Sequence, residues 1–298
     1  MGKIAVPLPV ERALARRAVT GERGRVTGRV LASGDGWKVE DVICTSGPDD
    51  RPFEEQHSWV SIAMVVAGTF QYRSTAGRDL MTPGSLLLGS AGQYFECGHE
   101  HGLGDRCIAF RYAPQYFPEI AAEPFRRARV PPLREVAPLV ARACAGLDGG
   151  ELSWEEVALG LAGRVARLTG PAGDRNEPPV GGQALGRVSQ VVRTIDRNPG
   201  ARLTVASLAR DAAMSPYHFL RTFARATGLT PHQYIVRARL RQAAARLLAE
   251  PAKVIEVALE SGFGDVSNFN RTFRAEFGVS PRTYRASRQE PAGKPSRT

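Results

Sequence analysis

The sequence predicts two domains: a small β-barrel followed by a pair of helices, and then a domain of seven helices. Three observations lead to this prediction. A stretch rich in glycine and proline divides the chain at residues 170–183, strand-like apolar runs dominate before it, and helical periodicity dominates after it. The 298 residues also fit two domains, at roughly 100–200 residues each.

Composition excludes several classes of protein. Hydrophobic residues make up 43% and charged residues 23% of the chain, as in a globular rather than a disordered protein. No run of about 18 apolar residues is present, so no membrane-spanning helix is predicted. Residues 1–30 hold six arginines and no apolar run, which predicts a flexible basic arm, no secretion signal and a cytoplasmic protein. Four cysteines are too few for a disulfide scaffold.

The positive charge is concentrated in the last third of the chain. The net charge is +10, and residues 184–298 alone hold 19 basic and 8 acidic side chains, a net of +11. Such asymmetry favours a polyanion-binding domain attached to a neutral one. A basic solubilising surface is the alternative.

Residues 31–169 are predicted to form the barrel and its helices, because short apolar runs alternate with turn signals. The predicted strands cover 59–66, 70–72, 85–88, 93–97 and 107–112. Two amphipathic helices follow, at 133–147 and 153–168. The apolar stripe of the second helix either packs within the chain or forms the seam of a homodimer.

Residues 184–288 are predicted to be helical. Proline directly after Ser215 or Thr230 is typical of a helix start, and Gly228 and Gly278 are typical of helix ends. The predicted helices cover 185–198, 205–213, 216–228, 231–249, 253–261 and 266–278, with a short one opening at 281. Residues 289–298 are predicted to be a disordered tail.

Residues 218–231 are repeated at 268–281, at an offset of 50 residues. The identical pairs are Phe219/Phe269, Arg221/Arg271, Thr222/Thr272, Phe223/Phe273, Gly228/Gly278 and Pro231/Pro281, and Tyr234/Tyr284 continues the match beyond the segment. Each copy follows a short helix and a tight turn, which is the pattern of a helix-turn-helix unit. The chain is therefore predicted to contain two such units.

In each unit the two phenylalanines are predicted to pack the second helix onto the first, because they lie four residues apart. The opposite faces then point outward. They carry Pro216, Tyr217, Leu220, Arg221 and Arg225 in the first unit, and Val266, Ser267, Asn270, Arg271 and Arg274 in the second. Arginine and asparagine can bond base edges in the DNA major groove, and apolar side chains can contact the thymine methyl group. For Arg221 and Arg271, contact with a base and contact with a phosphate both stay open.

The predicted helix at 231–249 sets the distance between the two units. About 19 residues at about 1.5 Å each span nearly 30 Å. One turn of DNA is about 34 Å. A single chain can therefore reach two successive major grooves on one face of a duplex.

Six segments of the C-terminal third carry a family pattern. They are AAMSPYHFLRTF at 212–223, GLTPHQY at 228–234, RARLRQA at 237–243, IEVA at 255–258, GFGD at 262–265 and FNRTFRAEFGVSPRTY at 269–284. In these segments, residues 185–288 resemble the DNA-binding domain of the AraC/XylS family of transcription regulators. The resemblance implies seven helices, double-stranded promoter DNA as partner, and activation through RNA polymerase. Leu220 departs from the pattern, since a polar base-reading residue is more usual there.

His57 and the segment 80–88 are similar to the cupin-like sensor domains of the same family. This resemblance implies a barrel whose interior binds a small-molecule effector, with His57 in the pocket. It also implies that the following helices are used for dimerisation.

The segment 97–107 holds the densest group of reactive side chains. On a strand, Cys97, His99 and His101 share one face, and a turn would return Cys107 to that face. Two thiolates and two imidazoles suit a tetrahedral zinc ion. Thiol redox sensing and a purely structural role are the alternatives.

The leading interpretation is a sequence-specific DNA-binding regulator, and not an enzyme. One alternative is a cupin-type metalloenzyme with an appended basic module, using His57, His99 and His101. That reaction would need an acid–base pair, and Glu96 and Glu100 fall on the opposite face of the strand. A non-specific nucleic-acid-binding protein is the third interpretation, although it needs charge but not two helix-turn-helix units.

Overall fold

A computed structural model describes residues 9–50, 54–115, 117, 121, 123–147, 153–169, 180–249 and 251–286. Most of the predicted linker, 170–179, and the predicted tail, 289–298, lie outside the described residues. Among the helices that are described, none is both long and apolar enough to cross a membrane.

The N-terminal part is built on two antiparallel sheets. Its strands are β1 (Val26–Gly34), β2 (Trp37–Cys44), β3 (Glu54–Gln56), β4 (Val60–Ala67), β5 (Phe70–Ser74), β6 (Gly77–Met81), β7 (Leu86–Gly89), β8 (Tyr94–Gly98), β9 (Asp105–Tyr112) and β10 (Arg129–Val130). One sheet has the order β1-β2-β9-β4-β7-β10 and the other β3-β8-β5-β6. Both sheets are open in the described residues, so a sheet-rich part is confirmed but the predicted small barrel is not.

Alternation along β4 shows how the six-stranded sheet buries both faces. Ile62 and Met64 point to a core shared with two helices, while Ala63 and Val65 belong to a second core that includes residues of the four-stranded sheet. Successive side chains of a strand lie on opposite faces, so a continuous apolar run fits a strand covered on both sides. The second core therefore lies between the two sheets.

The predicted flexible arm over residues 1–30 is wrong for its described part. Helix α1 (Pro9–Thr20) precedes β1, which begins at Val26 and pairs with β2. The boundary expected at residue 31 thus falls inside a strand. Arg29 forms an ion pair with Asp41 of β2, at 3.3 Å. Because β1 is largely exposed and carries polar residues, it lacks the apolar alternation on which the strand prediction relied.

Two helices, α2 (Ala137–Leu147) and α3 (Trp154–Thr169), cover the outer face of the six-stranded sheet. In the apolar stripe of α3, Val157, Leu161 and Val165 are fully buried there, and Leu168 is half-buried. Of the two uses open for this stripe, packing within the chain is the one the structure has. Dimerisation stays a prediction and would need another surface.

The C-terminal part is helical, with bounds within three residues of the predicted helices. The helices are α4 (Gly182–Arg197), α5 (Val205–Asp211), α6 (Pro216–Thr227), α7 (Pro231–Ala249), α8 (Val254–Glu260), α9 (Val266–Phe277) and α10 (Pro281–Ala286). The first half of α7 packs in a core with α4, α5 and α6, through Tyr234 and Ala238. Its second half packs in another core with α8 and α9, through Leu240 and Ala243. One continuous helix therefore joins the two helix-turn-helix units.

The two parts of the chain are in contact. Leu80 of β6 belongs to the first helical core, and Ala141 of α2 belongs to the second. Arg134, just before α2, forms a long ion pair of 3.9 Å with Glu276 of α9. The sheets and helices thus form a shared interface.

The turns of the two helix-turn-helix units share one backbone conformation. Ala213 has φ +49° and Gly262 has φ +87°, both in the left-handed region. The next amide donates back to the preceding helix in both turns, from Met214 to Ala209 at 2.9 Å and from Phe263 to Ala258 at 3.1 Å. A side chain is disfavoured in this conformation, so the first turn carries strain that the second avoids.

We expect Ala213→Gly to stabilise the protein and Gly262→Ala to destabilise it. The first change removes the strain of a side chain in the left-handed conformation, about 1–2 kcal/mol. Because glycine makes the unfolded chain more flexible, it also costs about 0.5–1 kcal/mol, which leaves a net gain in stability of about 0.5–1 kcal/mol. A Cβ at residue 262 would lie 2.9 Å from Arg239 Nε and 2.9 Å from Gly200 Cα, so the second should cost about 1–3 kcal/mol. Urea unfolding of the full chain measures both. A loss of stability in Ala213→Gly would contradict the strain at this turn.

Candidate nucleic-acid interface and thiol–imidazole cluster

Helix α6 is started by a polar cap and ended by a glycine. The Ser215 hydroxyl accepts a hydrogen bond from the His218 amide at 3.3 Å, and Pro216 occupies the first helical position, where no amide donor is needed. Gly228, at φ +77°, ends the helix in the left-handed conformation. These local signals fix where the exposed face of α6 begins and ends.

The two faces of α6 lie as predicted. Phe219 and Phe223 are fully buried, with ring centroids 5.4 Å apart. The predicted contact residues of the first unit are exposed: Pro216, Tyr217, Leu220, Arg221 and Arg225. Tyr217 is 70% exposed, and the Arg221 guanidinium lies 5.7 Å from its ring centroid. An exposed aromatic beside a guanidinium forms a surface that can contact bases or backbone.

Helix α9 repeats this arrangement. Asp265 caps it by accepting from the Asn268 amide at 2.7 Å, and Phe269 and Phe273 are fully buried. Its predicted contact residues are exposed apart from half-buried Val266: Ser267, Asn270, Arg271 and Arg274. Arg271 donates to the Asn268 side chain at 3.2 Å, which holds its guanidinium along the outer face.

A groove beside α9 adds basic residues that the sequence analysis did not select. Lys253, at the start of α8, and Arg282, in α10, line the same groove as Asn270, Arg271 and Arg274. Both lie in the first turn or cap of a helix, and their positions relative to α9 depend on packing. The second unit thus presents a broader cationic surface than its recognition helix alone.

The predicted Cys/His face does not form as a hairpin. Cys97 lies on β8 in the four-stranded sheet, whereas Cys107 lies on β9 in the six-stranded sheet. The segment between them crosses from one sheet to the other. Even so, Cys97, His99 and Cys107 line the same cavity between the sheets, so three of the four predicted residues are brought together.

His101 is the exception and points away from this cavity. Its Nδ1 accepts a hydrogen bond from the Leu103 amide at 3.2 Å, and its Nε2 lies 2.9 Å from Thr69 Oγ1. Both ring nitrogens are therefore occupied. Placing His101 among the metal ligands was wrong because the chain leaves the strand at Gly98, so alternation no longer applies beyond it.

Cys44 and Asp105 take the place expected for His101. Cys44 Sγ lies 3.4 Å from His99 Nε2, and Asp105 Oδ2 lies 2.9 Å from the same nitrogen. Cys44 and Asp105 are paired residues in the β2–β9 ladder, at the sheet end reached by His99. Sequence reasoning missed both because strand pairing, not spacing along the chain, brings them to His99.

The cavity that contains this cluster has a volume of about 130 Å³. His57, the predicted effector-pocket residue, lines it, and its ring stacks on Phe95 with centroids 4.2 Å apart. His57 Nε2 lies 2.9 Å from the Tyr72 hydroxyl, and its buried Nδ1 has no hydrogen-bond partner among the described residues. The pocket is smaller than the roughly 300–1,000 Å³ typical of drug-sized ligands.

The histidines of this part differ in charge preference. Burial, with a lesser contribution from Arg111, lowers the pKa of His57 to about 4. Burial and Arg193 lower the pKa of His101 to about 4 as well. Burial opposes charge on His99 too, but its hydrogen bonds to Asp105 and Cys44 raise its pKa to about 10. A buried carboxylate beside an imidazole favours the charged ring.

His101 connects the sheet crossing to the helical part. Thr69 Oγ1 lies 2.9 Å from His101 Nε2 and 2.8 Å from Ser189 Oγ on α4. Arg193 of α4 donates to Ser189 Oγ at 2.7 Å. The side chains of Thr69, His101 and Ser189, which form this series of hydrogen bonds, are all buried. A displacement of the crossing segment would therefore be passed to α4 through Thr69.

The carboxylates considered for an acid–base pair have other partners. Glu96 forms an ion pair with Arg73, and Glu100 accepts a hydrogen bond from Gln71. This arrangement of Glu96 and Glu100 does not support the metalloenzyme alternative.

The exposed pair of capped helices defines the class: the C-terminal part is a helix-turn-helix DNA-binding domain. A family model described as "Helix-turn-helix domain" matches residues 208–287. The HTH-type transcriptional activator AarP of Providencia stuartii is 31% identical over 100 residues, which cover 34% of this chain and 74% of AarP. The chain belongs to the AraC family and is a DNA-binding transcription regulator.

Other relatives match over the same part of the chain. The HTH-type transcriptional activator RhaS of Yersinia pestis bv. Antiqua (strain Angola) is 33% identical over 107 residues, covering 36% of this chain and 39% of RhaS. The solved DNA-binding domain of AdpA, in complex with a target DNA, is 32% identical and covers 36% of this chain and 98% of that one, with a TM-score of 0.34. The match thus spans most of AarP but well under half of RhaS.

We expect the stability of the protein to fall between about pH 6.5 and pH 4 because of His57. Its folded pKa of about 4 lies below its ordinary value of 6.5, so the unfolded chain binds the proton first as the pH falls. Between pH 7 and pH 5 the wild type should lose about 2 kcal/mol more than His57→Gln. Denaturant unfolding at both pH values measures this difference.

The matched control for this experiment is His218→Gln, since His218 is exposed on α6. It should lose stability in parallel with the wild type. Equal losses in the wild type and His57→Gln would show that His57 is not held in its neutral form.

Thr69→Val should loosen the contact between the sheet crossing and α4. Valine keeps the shape of threonine but leaves His101 and Ser189 without their shared partner, at a cost of about 1–3 kcal/mol. Hydrogen exchange should rise at residues 99–104 and in α4, but not in α9. Thr27→Val on exposed β1 is the control and should change neither. Unchanged exchange at 99–104 would rule out Thr69 as the connecting residue.

Proposed function

We propose that the protein is an effector-responsive transcription activator that places α6 and α9 in two successive major grooves of promoter DNA. The observation that carries this proposal is the repeated construction of the two helices. Each has a polar cap, a fully buried pair of phenylalanines and an exposed face with arginines. Non-specific binding needs positive charge alone, whereas two positioned helices favour reading of a defined sequence.

The length of α7 supports simultaneous reading of two grooves. It has 19 residues, or about 28 Å at about 1.5 Å per residue. Successive major grooves on one face of a duplex are about 34 Å apart. Because α7 belongs to both helical cores, it holds the two units at a fixed separation and lets one chain bind without a partner.

The second unit is proposed to supply the more specific contacts. Asn270 can pair with adenine and Arg271 with guanine, and both are exposed on α9. In the first unit, Leu220 can meet a thymine methyl group and Arg221 a base or a phosphate. Lys253 and Arg282 flank the groove beside α9 and are proposed to bind phosphates, which positions the helix without reading sequence.

The two-sheet part is proposed to be a cupin-like sensor that responds to a small ligand between its sheets. His57 lines that cavity, and the crossing segment that borders it contacts α4 through His101, Thr69 and Ser189. A ligand that shifts the crossing segment would change how the DNA-binding domain is held. This gives the regulator a physical route from effector to DNA.

The proposed partners follow from the family. RNA polymerase would be contacted by the DNA-bound protein, and a second copy of the chain would be bound through a surface other than the buried stripe of α3. We propose the cytoplasm as the compartment, since the relatives that the chain matches are bacterial regulators and promoter DNA lies in the cytoplasm of bacteria.

Arg271→Ala and Asn270→Ala should each weaken binding to the cognate promoter by about 1–3 kcal/mol while leaving the fold intact. Both side chains are exposed on α9, on the side away from Phe269 and Phe273. Arg167→Ala is the matched control, because it removes the same charge from an exposed position on α3. Titrations on specific and random DNA measure the effect. Unchanged specific affinity in both variants would overturn the assignment of α9 as a reading helix.

A further inference from the structure

Three side chains from separate segments meet at one end of the cavity between the sheets. Cys44 is the last residue of β2, His99 follows β8, and Asp105 is the first residue of β9. Their ligand atoms all lie within 4.8 Å of one another. Cys44 and Asp105 are opposite one another in the antiparallel β2–β9 ladder, so the sheet itself holds two of the three in place.

The His99 ring presents a single nitrogen to both other groups. Nε2 lies 3.4 Å from Cys44 Sγ and 2.9 Å from Asp105 Oδ2. A nucleophilic relay would need the thiol on one ring nitrogen and the carboxylate on the other. One N–H can point at only one of these two groups, whereas a cation between the three atoms would bind all of them.

The donor set selects the kind of cation. A thiolate, an imidazole and a carboxylate are the ligands that zinc accepts, at about 2.0–2.3 Å each. Tetrahedral ligands at such lengths lie roughly 3.3–3.8 Å apart. The Cys44–His99 distance of 3.4 Å already matches, and the His99–Asp105 distance of 2.9 Å needs only a small opening. Hard cations such as magnesium and calcium prefer all-oxygen sites.

Two further thiols are the candidates for a fourth ligand position. Cys97 and Cys107 line the same cavity as the other three groups. The rest of the lining is mixed, with apolar Phe70 and Phe95 as well as polar or charged side chains such as Glu55, Gln56 and Arg111.

We propose that Cys44, His99 and Asp105 bind a thiophilic divalent cation of the zinc class, with Cys97 or Cys107 as the fourth ligand. This set keeps His99 from the sequence-based prediction and replaces His101 with residues from the paired strands β2 and β9. The consequence for regulation rests on the proposed function. His101 lies two residues after His99 and is hydrogen-bonded through Thr69 to Ser189 of α4. A bound cation would therefore fix the segment that is connected to the DNA-binding domain by these hydrogen bonds.

The test is a zinc titration of the full chain after removal of metal by chelator under reducing conditions. Zinc alone is added in competition with a chromophoric chelator, and one ion per chain should bind. Cys44→Ser and Asp105→Asn should each weaken binding by about tenfold or more. Cys144→Ser is the matched control, since Cys144 lies in α2 outside this cavity, and it should bind zinc as the wild type does.

Alkylation mapped by mass spectrometry gives a second readout on the unaltered protein, in case a variant fails to fold. Zinc should slow modification of Cys44 and leave Cys144 unchanged. The proposal is overturned if the wild type takes up no stoichiometric zinc, if folded Cys44→Ser binds zinc as tightly, or if zinc does not protect Cys44. Zinc uptake is measured without DNA, so these outcomes leave the reading of DNA by α6 and α9 standing.

Discussion

The crossing of the chain from one sheet to the other, between Gly98 and Asp105, is the constraint on which the N-terminal part depends. Because β8 and β9 belong to different sheets, the residues between them must bridge the core rather than form a hairpin. This brings His99 to the end of the β2–β9 ladder and turns His101 to Thr69, which in turn bonds Ser189 of α4. His99 and His101 are only two residues apart but face different parts of the molecule. His99 faces a buried thiol and a buried carboxylate, whereas His101 faces the hydrogen bonds that lead to the DNA-binding domain.

The helical part depends on a second constraint, the sharing of α7 between two small cores. Neither core is large, and each is filled by a pair of phenylalanines with ring contacts, such as Phe219 with Phe223 and Phe269 with Phe273. Small cores give limited stability on their own. A common helix couples them, and contacts with Leu80 and Ala141 of the sheet part extend them further.

The sequence predicts the helical part well because its signals are local. Ser215 with Pro216, and the glycines at 228 and 278, define helix ends through hydrogen bonds to residues at most four positions away. The positions of the exposed faces of α6 and α9 followed from the repeat. The sheet part was predicted less well, since β1 is exposed and polar and gives no alternating signal. Cys44 could not be placed beside His99 from spacing, because 55 residues separate them and only strand pairing joins them.

The two helix-turn-helix units are similar but not equivalent, and in the proposed complex with DNA this would give the bound protein a direction. The first turn reaches its cap at Ser215 two residues after Ala213, whereas the second needs three residues, with Gly264 added, to pass from Gly262 to Asp265. The exposed faces differ as well, with Tyr217 and Leu220 on one and Ser267 and Asn270 on the other. Unlike a symmetric dimer on a palindrome, a chain with two unequal ends can distinguish upstream from downstream. Inverting its binding site would turn the protein around relative to the start of transcription.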